Sequence, residues 1–247
     1  MPRTEVTIAT QDGSCAATLH TPAGDGGWPA VILYPDAGGV RDTFDAMADR
    51  LAGLGYAVLL PDVYYRVGGF APFEMATAFS DPGERERVMK LAASLTGDMV
   101  VRDGAVFLEF LAGRDEVTGS GVGTTGYCMG GRISLIMAGN YPDRVAAAAS
   151  FHGGRLADPE DEHSPYLLAD RIRGTLHVAA AENDASFPPE QYNRLEEALR
   201  TAGVRHTMQT YPAAHGFAVA DNPTYDRSAA DRHWTALADL YAATLHA

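Results

Sequence analysis

"GTTGYCMGGRIS" (residues 123–134) sets Cys128 between Gly126 and Gly130, with a helix-like stretch after it. The form is G-x-C-x-G. A buried structural cysteine has no use for glycines two residues to either side. A nucleophile raised on a strand-to-helix turn has, because side chains at those points would collide with neighbouring backbone. The stretch therefore predicts a strand, a sharp turn and a helix, in that order. The turn lifts the thiol to a helix N-terminus, where the dipole favours a thiolate. The backbone N–H of Met129 then points to the place where an oxyanion would form.

Outward from this turn, strand and helix patterns alternate. "TEVTIAT" and "CAATLHTP" are extended runs joined at Gln11-Asp12-Gly13-Ser14, a hairpin signal. "PAVILYPD" (29–36) and "YAVLLPD" (56–62) are the apolar runs of strands buried on both faces. Between them Phe44, Met47, Leu51 and Leu54 recur at helical spacing, with Gly55 as C-cap. Residues 63–83 are aromatic and irregular and read as a long loop. Helices fit 84–95 and 98–111; in the second, Val101, Ala105, Leu108 and Leu111 form one stripe. The helix after Cys128 stops before Pro142. "VAAAASFHGG" and "GTLHVAAAEND" are further strands, a helix covers 189–202, and "VRHTMQTYPAAHGF" is a last strand and loop. A closing helix over 225–245 packs Trp234, Leu237, Leu240 and Tyr241. The pattern predicts an α/β class: a mainly parallel central sheet, helices on both faces and an N-terminal antiparallel hairpin. The 153–174 stretch is too short for a cap domain, so one domain over 1–247 is expected.

A second motif overlaps the first. Gly121, Gly123 and Gly126 spell G-x-G-x-x-G. A dinucleotide site would need a strand just before it and an acidic residue about twenty residues on. The polar "RDEVTGS" precedes it and the alanine-rich "VAAAAS" follows, so no dinucleotide is expected.

A thiol nucleophile needs a base, and the base needs an orienting carboxylate. Where the nucleophile sits on such a turn, the chain order is nucleophile, acid, histidine. "AENDASFPP" places Asp184 just past a strand end, and "YPAAHGFA" places His215 in a small-residue loop after the last strand. Both then share the sheet edge of Cys128, where open α/β sheets place ligands. His152, in "SFHGG", follows a strand and is expected to line the cleft. The other histidines fall in strand-like segments (His20, His177, His206) or in polar or helical surroundings (His163, His233, His246). No spacing suggests a metal site, and no cofactor is expected.

Composition sets the outer bounds. The 247 residues are 46% hydrophobic and 21% charged, enough to fill a core and stay soluble. Against 32 Asp+Glu stand 19 Lys+Arg, a net charge of -13, which argues against nucleic acid or an anionic membrane surface as partner. Two cysteines, Cys15 and Cys128, make no disulfide framework, and Cys15 in its hairpin strand reads as packing. "MPRTEVTIATQDG" has no signal-peptide pattern, so a cytoplasmic location is expected. Monomer and dimer both remain open.

Taken together, "VILYPDAGGVRDTFDAMADRLAGLGYAVLLPDVYYR", "GYCMGG", "AAENDASFPPE" and "YPAAHGFA" resemble the dienelactone hydrolase (carboxymethylenebutenolidase) family of α/β-hydrolases over essentially the whole length. The resemblance implies a Cys128–His215–Asp184 triad that opens an ester or lactone through an acyl-enzyme. It implies an oxyanion hole from the N–H groups of Met129 and Ala37. A family glutamate that keeps the resting thiol neutral corresponds to Asp36, one methylene shorter. Arg85 or Arg87 would bind a substrate carboxylate, while the site for a second such arginine, four residues past His215, holds Val219. Tyr64 and Tyr127 are the expected pocket-shaping side chains. Two rivals stand beside this reading: a general carboxylesterase or thioesterase with the same triad, and a thiol redox or binding protein on the same scaffold.

Overall fold

In the computed structural model, which describes residues 1–245, the N-terminal hairpin pairs β1 (Arg3–Thr10) with β2 (Gly13–His20) in antiparallel register, Thr10 opposite Gly13. Six more strands follow: β3 (Trp28–Tyr34), β4 (Ala57–Pro61), β5 (Val117–Tyr127), β6 (Val145–Phe151), β7 (Thr175–Ala181) and β8 (His206–Tyr211). They form one eight-stranded sheet in the order β1-β2-β4-β3-β5-β6-β7-β8. β2 meets β4 antiparallel, and every later pairing is parallel. This is the α/β-hydrolase architecture, with an antiparallel N-terminal edge.

Among the described residues the α-helices are α1 (Asp42–Gly53), α2 (Pro82–Ala93), α3 (Gly97–Ala112), α4 (Met129–Asn140), α5 (Pro189–Thr201) and α6 (Arg227–Thr244). Strand alternation sorts the core into two faces. On β3, Val31 and Leu33 point to the face that packs Phe44 and Leu51 of α1 and Leu237 and Tyr241 of α6. Ala30 and Ile32 point to the face that packs Val88 of α2, Leu111 of α3, Ile133 of α4 and Leu199 of α5. Each fully buried aliphatic side chain contributes about 1.5–3 kcal/mol to holding these layers.

Several element ends differ from expectation for local reasons. α2 starts at Pro82, because the Asp81 carboxylate accepts from the Glu84 amide (2.9 Å) and Pro82 suits a first turn. α6 starts at Arg227, capped by Asp226 on Ala229 (2.7 Å). A short 3-10 turn, Tyr65–Val67, interrupts the 63–83 stretch. On α3 the buried stripe is Val100, Gly104, Phe107 and Leu111, with Val101 and Ala105 at its margin. Leu54, at the α1 C-cap, is exposed. Gly121, Gly123 and Gly126 all lie inside β5, so the glycine motif opens no helix. A Cβ on Gly123 would meet Tyr241 at 2.8 Å: that glycine makes room for α6. His246 lies outside the described residues. Among the described residues no helix is long and apolar enough to cross a membrane, and no group of His, Cys, Asp or Glu is placed to hold a metal.

Candidate active site

The C-terminal ends of the central strands lie level: Tyr34 pairs with Gly126, Tyr127 with Phe151, Phe151 with Ala179, and Ala181 with Tyr211. The residues that follow these ends, Asp36, Cys128, His152, Asp184 and His215, therefore share one edge. The chain runs from β3 to β4 on one side and then crosses to β5 on the other. Such a switch point opens a crevice at the strand ends.

Cys128 sits at φ 54°, ψ −115°, between the last residue of β5 and the first of α4. A side chain held there costs about 1–3 kcal/mol and persists only where the surroundings enforce it. The enforcement is visible. The Cys128 amide donates to the Phe151 carbonyl (3.1 Å), and its own carbonyl accepts from the Gly131 amide (3.1 Å). A Cβ on Gly126 would overlap the Gly130 carbonyl, and one on Gly130 would overlap the Tyr34 and Pro35 carbonyls. The sulfur is half-exposed and free of any disulfide. Met129, first in its helix, has an amide without an intrahelical acceptor.

Asn183, at φ 56°, turns the chain after β7 and presents Asp184. Oδ1 of Asp184 accepts from the Ser186 amide (2.8 Å) and the Ser186 hydroxyl (2.7 Å); Oδ2 lies 2.7 Å from Nδ1 of His215. Burial works against the Asp184 charge, but His215 and the two Ser186 donors hold the carboxyl below its usual range. The His215 loop is tied back by Thr224, whose hydroxyl donates to the His215 carbonyl, while Gly216 at φ 95° leaves space for Asn222 and Thr224. Burial opposes a charge on His215 as well. The Cys128 sulfur, as charge and as hydrogen-bond partner, and the Asp184 carboxylate outweigh it and raise the imidazole to about 10. Of the three side chains expected from separate stretches of the sequence, imidazole and carboxylate meet at 2.7 Å, and the sulfur lies close enough to act on the imidazole's charge. With Nδ1 on Asp184, the remaining ring nitrogen is the one left for the sulfur.

The profile of the dienelactone hydrolase family matches residues 15–245. The chain belongs to the dienelactone hydrolase family. A Synechocystis sp. protein with the provisional name carboxymethylenebutenolidase is 28% identical, over 96% of this chain and 95% of its own. A carboxymethylenebutenolidase of Rhodococcus opacus is 26% identical, over 87% of this chain and 82% of its own. Among solved structures, a dienelactone hydrolase-like promiscuous phosphotriesterase from metagenomic libraries is 26% identical with a TM-score of 0.76, covering 98% of each chain. Membership makes this protein a hydrolase of esters or lactones acting on small molecules.

The walls of this dienelactone hydrolase-family site differ from the sequence expectation in several places. The Tyr64 hydroxyl touches both residues expected to supply oxyanion donors: it donates to the Ala37 carbonyl (3.1 Å) and lies 3.2 Å from the Met129 sulfur. Burial, with the nearby Asp36 and Cys128 charges, pushes that hydroxyl well up, so Tyr64 stays a neutral donor. Tyr127 is not in the pocket. Strand alternation turns it into the core beside α6, where it is fully buried and lies 2.9 Å from Nε2 of His233. Asp36 has both carboxylate oxygens on Arg41 (2.7 and 2.9 Å) and one on the Gly38 amide (2.9 Å), so its partners are these groups and not the sulfur. Arg87 grips both oxygens of Glu84, the carbonyls of Ala71 and Pro72, and stacks on Phe73. Arg85 lies in an exposed depression with Phe79, Pro82 and Met89.

His152 is buried at φ 39°, anchored by its amide on the Ala179 carbonyl (2.8 Å). Its ring meets that of His215 edge-on, with centroids 5.1 Å apart. Burial first, and then the charges of His215 and His233, push it well down, so it is neutral. Ser186, Arg41 and Asp221 were not anticipated. Ser186 had a readable signal, since Asp-x-Ser builds a local turn in which the carboxylate accepts twice. Arg41 and Asp221 had none, being 180 residues apart.

Proposed function

We propose that this protein hydrolyses small carboxylic esters and lactones through an acyl-enzyme on Cys128, with His215 as proton carrier and Asp184 as its orienting carboxylate. The observation that supports it most is the position of His215, bound at 2.7 Å to Asp184 and close enough to the Cys128 sulfur for the sulfur's charge to act on it. A redox-sensing thiol has no need of an imidazole held in one tautomer by a carboxylate that is itself held by Ser186.

His215, oriented by Asp184, takes the proton of the Cys128 thiol. The sulfur attacks the substrate carbonyl, and the oxygen that becomes negative is received by the amides of Met129 and Ala37, each such donor contributing about 3 kcal/mol in comparable sites. His215 gives its proton to the departing alkoxide. In a lactone the alkoxide stays attached to the acyl group. Acylation removes the sulfur's charge, which is the strongest of the influences that raise His215. The imidazole therefore becomes neutral when a base is needed, and it takes a proton from the water that releases the acyl group. The half-exposed Cys128 at the crevice rim suits small substrates. The test is turnover of p-nitrophenyl acetate by Cys128→Ala. Loss of activity by at least about a thousandfold is expected; retained activity ends the assignment.

A further inference from the structure

The guanidinium of Arg41 is saturated. It has five N–H donors, and five hydrogen bonds leave it. Nε goes to Asp221 Oδ2 (2.6 Å), Nη2 to Asp221 Oδ1 (2.9 Å) and Asp36 Oδ2 (2.9 Å), and Nη1 to Asp36 Oδ1 (2.7 Å) and the Gly39 carbonyl (3.1 Å). One positive charge thus sits between two carboxylates, beside the turn that carries Ala37. The bridge joins that turn to the loop that carries His215.

Three further arginines are also matched with acids: Arg87 with Glu84 (2.7 Å), Arg132 with Asp161 (2.6 Å) and Arg155 with Asp158 (2.9 Å). Val219, in the loop that carries His215, is fully buried. Aromatic rings adjoin the turn that carries Ala37: Tyr64, Phe70 and Phe73 follow one another at 5.9 and 5.8 Å, and Gly39 lies against the rings of Phe70 and Tyr64.

We propose that the site selects esters and lactones whose acyl part carries no carboxylate, and that the Asp36–Arg41–Asp221 bridge is the element that enforces this. The inference rests on the hydrolase reading above and narrows its substrate class. A substrate carboxylate would have to displace a protein carboxylate from Arg41 or stand unpaired beside a cluster of net negative charge. Either alternative is unfavourable in a partly desolvated site. An uncharged acyl chain incurs neither cost.

The experiment compares p-nitrophenyl pentanoate with mono-p-nitrophenyl glutarate, which differ at the chain end by a carboxylate, each normalised to its alkaline hydrolysis rate. The native enzyme is expected to favour the pentanoate in kcat/KM by at least about tenfold. Asp221→Asn removes one negative charge and loosens two donors of Arg41, and is expected to narrow that ratio by at least about threefold. A native ratio near one, a preference for the glutarate, or a ratio unmoved by Asp221→Asn in a folded variant overturns the proposal. If neither ester is turned over, the hydrolase reading fails by itself, and the charge rule is read without turnover. Asp221→Asn must then raise the iodoacetate-to-iodoacetamide alkylation ratio at Cys128 by at least about threefold. An unchanged ratio overturns the proposal there too. Cys15, fully buried, does not obscure this measurement.

Discussion

On one side of Cys128 an acid holds a titratable base, Asp184 on His215; on the other, two acids hold a permanent cation, Asp36 and Asp221 on Arg41. The two arrangements use similar distances and differ in what is left over. His215 has one ring nitrogen on Asp184 and the other available to the sulfur, and its protonation changes with the charge beside it. Arg41 has no donor left and cannot lose its proton under ordinary conditions. An unsaturated, titratable group can take part in chemistry. A saturated, permanent one can only fix positions and set the sign of the local field.

The comparison would break most sharply at the acids. Asp184→Asn is expected to lower kcat by about 10³–10⁴, since the wrong tautomer of His215 is then favoured; Asp36→Asn should cost far less, and equal losses in esterase assays would erase the distinction. Next in size is the turn that separates the two sides. Gly126→Ala places a methyl on the Gly130 carbonyl and should destabilise the fold by about 4 kcal/mol or more, read by urea unfolding. The titratable side is sharpened by Cys128→Ala, which removes the strongest raising influence on His215. Its midpoint, followed by NMR, should fall from about 10 by at least about one pH unit. The sign has a further consequence. Because the folded value is raised above 6.5, the pair stabilises the native enzyme fully below that pH, and this contribution is lost as the pH rises through about 10. A smaller effect is expected at Ser186→Ala, which removes one of two local donors to Asp184: about 1 kcal/mol, or five- to tenfold, in kcat/KM. No change there would show that the Ser186 amide alone suffices.

The two cysteines give the same lesson in the sequence itself. Cys15 is fully buried in β2, donates to the carbonyls of Ala16 and Asp62, and is pushed up to about 12 by burial and by the Asp62 and Asp103 charges. The turn just before it, Asp12-Gly13, is a hairpin turn, and nothing about Cys15 signals a strand-to-helix turn. Cys128 has glycines at two offsets, and a collision between backbone atoms makes those glycines necessary. At Gly130 the collision is with the Tyr34 and Pro35 carbonyls, which only the fold brings there; at Gly126 it is with Gly130, four residues on, and can be read from residues 123–134 alone.

The same holds for much of the fold: apolar runs, helical spacing, the order of strands and the loops bearing Asp184 and His215 all follow from periodicity and chain order. What the sequence could not assign was direction and partner. Tyr127 adjoins the nucleophile in the chain yet faces the opposite side of the sheet. Arg85 and Arg87 had the right charge, but Arg87 is bound to Glu84 and to the loop before its helix. The bridge from Asp36 through Arg41 to Asp221 exists only because the turn after β3 and the loop after β8 arrive at the same edge. Steric rules that act between neighbours along the chain are written there; pairing of charges acts through space, and only the packed sheet decides which of many carboxylates each arginine meets.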